Sequence, residues 1–92
     1  MNRCLKINMI IDIKDGLLEN LIQKNAQKFK IEGYAQAMDK KTVKIVACGK
    51  SEDMDNFIDA LYKGHKSTKP SSLEVDPFLR DKDYRGVFRV IE

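Results

Sequence analysis

From Leu5 to Ile13 every second residue is a large apolar one: Leu5, Ile7, Met9, Ile11 and Ile13. Between them stand Lys6, Asn8, Ile10 and Asp12. A period of two belongs to a strand with one buried face. At Gly16 the period lengthens. Leu17, Leu18, Leu21, Ile22, Ala26 and Phe29 fall on one helical stripe, with Glu19, Asn20, Gln23, Lys24 and Lys28 opposite. Lys28 and Lys30 suit a helix C-terminus, where the backbone dipole favours cations. A chain that changes period in this way must lay a helix across a sheet, because each element has one apolar side to bury.

The same change happens again further on. IEGYAQAM and TVKIVACG are alternating runs joined by Asp39-Lys40-Lys41, which reads as a hairpin. Ser51 then predicts an N-cap, with Glu52 and Asp53 in the favourable first turn. Met54, Phe57, Ile58 and Leu61 repeat at helical spacing, and Gly64 supplies the expected terminator. HKSTKPSS, with Pro70, is a loop. Leu73, Val75 and Phe78 suggest a fourth strand, RDKDYRG a polar connection, and Val87 to Ile91 a closing strand. The order β-α-β-β-α-β, plus a short extra strand, predicts an α/β sandwich of ferredoxin-like type: an antiparallel sheet covered on one face by two helices. Residues 1–92 are read as one domain.

Composition excludes several classes. Charged residues are 34% and apolar ones 42%, which describes a folding chain rather than a disordered one. No apolar run nears the roughly 18 residues that span a bilayer, so no membrane partner is expected. MNRCLKINMIIDI is read as a strand and not a secretory leader, since Asn8 and Asp12 interrupt it. The net charge of +3 is too small to imply nucleic acid by itself. The two cysteines, Cys4 and Cys48, make no disulfide framework. With their strands taken as parallel they stand about 15 Å apart, at roughly 3.3 Å per residue, too far to bridge. A reducing, cytoplasmic setting is the matching expectation.

Several features together resemble the acylphosphatase family over nearly the whole length. They are Gly33-Tyr34 after the first helix, TVKIVACG followed by SEDMDNFIDALYKG, and the ending YRGVFRVI. The resemblance implies hydrolysis of small acyl phosphates without metal or cofactor. It also implies a first turn of the form G-x-V-Q-G-V-x-F-R, whose amides and closing Arg hold phosphate. An Asn four residues after the Gly of the Gly-aromatic pair would position water. Anchored at Gly33-Tyr34, those nine positions fall on Ile11, Asp12, Ile13, Lys14, Asp15, Gly16, Leu17, Leu18 and Glu19. Glu19 stands at the Arg position and Ala37 at the Asn position. Sliding the loop by one restores the Gly but places Asn20 at the Arg position.

Phosphoryl transfer depends on positioning and positive charge. A carboxylate about 4 Å from a phosphate is repelled by roughly 1 kcal/mol per charge pair even in water. The sequence therefore predicts an acylphosphatase-like chain without an intact catalytic pair, acting as an interaction module for an unidentified protein partner. An active enzyme holding small acyl phosphates through Lys14 and loop amides is the alternative, with Gln36 set on the opposite sheet face from Ala37. Asp12, Asp15 and Glu19 lack the EF-hand spacing; Asp15 is read as a helix cap and Glu19 as its dipole partner. His65 is read as a solvated loop residue. Lys6, Lys40, Lys41 and Lys44 make a basic surface, but Tyr34 is the only aromatic placed on the open sheet face, so RNA is a weak reading. Ile10, Tyr34, Met38, Val46 and Cys48 form a candidate apolar patch there.

Overall fold

A computed structural model describes residues 2–14, 16–77 and 86–91. The first strand, β1, is Asn2–Ile10. The first helix, α1, begins with a π-helical segment, Leu18–Gln23, and continues as an α-helix over Lys24–Lys28. The hairpin strands are β2, Glu32–Ala37, and β3, Thr42–Lys50. Then follow α2, Ser51–Lys63, and the strands β4, Ser72–Pro77, and β5, Phe88–Ile91. The sheet order is β4-β1-β3-β2-β5. Neighbouring strands are antiparallel except β2 and β5, which run parallel. The expected ferredoxin-like arrangement is present, with a mixed sheet in place of a purely antiparallel one.

The period-two residues of the strands supply one side of the core. Leu5, Ile7 and Met9 of β1 lie in register with Ala47, Ile45 and Val43 of β3, and all six are buried. The helices supply the other side, through Leu18, Leu21, Ile22 and Ala26 of α1 and Met54, Phe57 and Leu61 of α2. Phe57 packs edge-on against Phe88 of β5, with ring centroids 6.1 Å apart, the offset geometry aromatic quadrupoles prefer. In the π segment the Lys24 N–H donates to the Glu19 carbonyl, five residues back.

Three expectations are corrected. The second helix has Lys50, in extended conformation, at its N-cap, and no side chain caps it; Ser51 is already its first helical residue. The Ser51 backbone is drawn into the helix because β3 continues through Lys50, paired with Asn2. Cys4 and Cys48 form a disulfide. Because β1 and β3 are antiparallel, the two residues lie directly opposite, with Cα atoms 4.1 Å apart. The error lay in strand direction alone. The pairing also removes the ground on which a reducing compartment was expected, since such bonds persist in oxidising surroundings. Finally, Val46 and Cys48 do not belong to an exposed patch: 2% of Val46 is exposed and none of Cys48. Cys48 is tied to Cys4 in the disulfide. Phe78, Tyr84 and Arg85 fall outside the described residues, as does Asp15 with its capping role. Among the described residues no helix is long and apolar enough to cross a membrane.

Candidate functional site

One end of the sheet gathers the residues that the sequence singles out. After β1 the chain keeps close to the hairpin turn. The Ile11 N–H donates to the Lys41 carbonyl at 2.9 Å, and the Ile13 N–H to the Lys40 carbonyl at 3.1 Å. Ile11 is buried, and half-buried Ile13 packs on the core, so Asp12 is turned outward and is exposed. Lys14 is exposed too. Its carbonyl accepts from the Leu17 N–H at 3.0 Å, closing a turn.

Gly16 sits inside that turn with φ of +78°, a conformation in which a side chain is strained. Its carbonyl accepts the Asn20 N–H at 2.8 Å and so starts the helix. A Cβ added to Gly16 would lie 2.9 Å from Asn20 Nδ2; the Asn20 carboxamide therefore lies over the bare Cα of the loop. Leu17 and Leu18 are buried. Glu19 is exposed in the first helical turn, where a carboxylate complements the dipole.

The hairpin side of this end is built around Asp39. Its carboxylate accepts the Lys41 N–H at 2.8 Å, an Asx-type turn that needs no Asn-Gly pair. The Met38 N–H donates to the Thr42 carbonyl and closes the hairpin. The Lys41 amide, then the Thr42 hydroxyl, hold the Asp39 carboxyl below its ordinary pKa. The turn's electrostatic support is thus complete at neutral pH and is lost on acidification, as the carboxylate takes up its proton below that ordinary value.

Ala37 lies on the core face of β2, opposite Val43, and packs against the core. Gln36 lies on the other face, in register with Lys44 and Ile91. The strand's alternation sets the Gln36 carboxamide on the opposite face from Ala37. The exposed Lys40 and Lys41 flank the loop, but through their backbones the contact is to Ile11 and Ile13. His65 is half-buried in a tight turn whose backbone pairs reciprocally with Thr68. Among the described residues no group of His, Cys, Asp and Glu has the makings of a metal site.

Gly33 explains the Gly-aromatic pair. Its φ is +137°, and a Cβ there would strike the Val46 carbonyl of the neighbouring strand. Only glycine lets β2 approach β3 at that point. The fold and the stretch that holds this pair coincide with what comparison finds. Residues 19–90 match the model of the acylphosphatase family. The chain belongs to the acylphosphatase family.

Solved acylphosphatase structures superpose on nearly the whole of it. The Bacillus subtilis enzyme does so with a TM-score of 0.85 at 20% identity, over 100% of both chains. The Coxiella burnetii acylphosphatase gives 0.85 at 19% identity, covering 97% of this chain and 92% of that one. Full-length HypF, in its phosphate- and nucleotide-bound form, gives 0.79 at 18% identity; this chain matches 12% of it. At such identities the likeness is one of fold.

Proposed function

We propose that this acylphosphatase-family chain has lost acyl phosphate hydrolysis and serves as an interaction module. The observation that carries the reading is the pair of residues at the two catalytic positions. Glu19 presents a carboxylate where the resemblance places a phosphate-holding Arg, and Ala37 presents a methyl group, packed on the core, where it places the Asn. Two further facts support it. The Leu17 amide is engaged by the Lys14 carbonyl inside the loop, so that donor is not turned toward an anion. The residues that match the family begin at Glu19, downstream of the loop.

The expected cost is large. Removing one well-placed oxyanion donor slows an enzyme by about 10² to 10³, and here two roles are vacant. The purified chain, given an aryl acyl phosphate, should turn over at least about a thousandfold below a typical enzyme rate of roughly 10 s⁻¹. Glu19→Arg combined with Ala37→Asn should raise that rate. Turnover at ordinary enzyme speed by the unaltered chain would sink the proposal.

One observation favours a second reading. Lys14 is exposed in the loop and free to reach a phosphate as a point charge. Hydrolysis by the unaltered chain that disappears in Lys14→Ala would establish an enzyme of altered design.

A further inference from the structure

The two helices cover one face of the sheet, and the strand register arranges the other face in rows. One row runs Asp76, Lys6, Val46, Tyr34, Arg89 from the β4 edge to the β5 edge. The next begins with Glu74, has Lys44 at its centre and ends in Ile91. The third, at the hairpin end, holds Ile10, Thr42 and Met38. Asp76, Glu74 and Arg89 are exposed. Ile10 is 45% exposed and Met38 58%. The face is therefore acidic along β4, basic at the β5 edge, and apolar on both sides of β3 at one end.

We propose that this face docks a second copy of the same chain about a two-fold axis lying along β3. Rotation about such an axis exchanges the two edges and preserves the level along the strands. β4 then lies over β5 of the second copy, and β1 over β2. Asp76 meets Arg89 of the second copy, and Ile10 meets Met38 of the second copy, each contact occurring twice as an isologous interface requires. An axis running across the strands would instead set Glu74 and Asp76 against themselves. The charge pattern thus selects one of the two face-to-face arrangements. Lys44, on the axis, meets its own copy, the one like-charge contact among the described residues of the rows.

The face sets the strength. Five strands at about 4.8 Å and six residues at about 3.3 Å span roughly 24 by 20 Å. That is about 500 Å² per copy, below the roughly 800 Å² of a standard interface. The dimer is accordingly weak and concentration-dependent. The inference stands apart from the loss of hydrolysis, because the loop lies at the end of the sheet and not on this face. An acyl phosphate assay and an association assay fail independently.

Analytical ultracentrifugation of the full chain from about 5 μM to about 1 mM tests it. A monomer–dimer equilibrium is expected. Arg89→Asp and Asp76→Arg should each raise its dissociation constant about tenfold. The double variant should return it to within about threefold, since the swapped pair is restored. Lys44→Thr should tighten the dimer. Circular dichroism of each variant confirms that the fold is intact. A chain that stays monomeric at the highest concentration overturns the proposal. So does a dimer indifferent to these charges, or a double variant no tighter than the single ones.

Discussion

Two neighbouring residues, Lys30 and Gly33, have opposite relations to their backbones. Lys30 ends α1 in the left-handed region, with φ of +57°. The Ile31 N–H reaches back to the Ala26 carbonyl and the Lys30 N–H to the Gln27 carbonyl, the pairing of a Schellman ending. That site favours glycine, so Lys30→Gly should stabilise the fold by about 0.5–1 kcal/mol, measured by urea denaturation. Gly33 is already the residue its site needs. Gly33→Ala would force β2 away from the Val46 carbonyl and should cost on the order of 2–3 kcal/mol in the same measurement. Gly33 was visible beforehand as half of a motif. Its reason was not, because the clash is with a strand ten or more residues away and depends on how close two backbones come.

At the scale of the element, α2 is the informative case. Its apolar repeat, its acidic first turn with Glu52 and Asp53, and its ending at Gly64 are all as the sequence predicts. Its start is not. Ser51 has good capping chemistry, but the strand before it runs on through Lys50 and the helix begins one residue early. A cation is left at the N-cap, where the dipole is positive. Lys50→Asp supplies both an acceptor for the first amides and the preferred charge, and should raise stability by about 1 kcal/mol, seen as a higher thermal midpoint. The first helix teaches a related lesson. Its apolar stripe reads as α-helix, whereas its first part, Leu18–Gln23, is wound as π turns that end with the Lys24 N–H on the Glu19 carbonyl. Single-sequence periodicity does not separate spacings of four and five when several leucines and isoleucines stand together.

For the molecule as a whole, the Cys4–Cys48 bond is a single local link with a global effect on stability. It ties the two central strands and closes a stretch with a sequence separation of 44. Reduction, or a Cys48→Ser change in a Cys4→Ser background, should lower the stability by about 2–4 kcal/mol, and the thermal midpoint should fall on adding a thiol reductant. A midpoint unmoved by reductant would mean the bond is absent in solution. The uncovered sheet face also belongs to this scale. Ile10, Asp76 and Arg89 come from three different strands and Met38 follows a fourth, so they form a pattern only once the sheet order is known.

The sequence by itself determined the number and kind of elements, the ferredoxin-like order and the core side of each strand. These follow from local periodicity and from residue identity, which need no partner. Tertiary structure alone decided the direction of β3 relative to β1 and therefore the disulfide, the burial of Val46 and Cys48 on the open face, and which charges share a row. Each of these depends on strand pairing, and pairing joins residues far apart along the chain whose side chains carry no local sign of their neighbours.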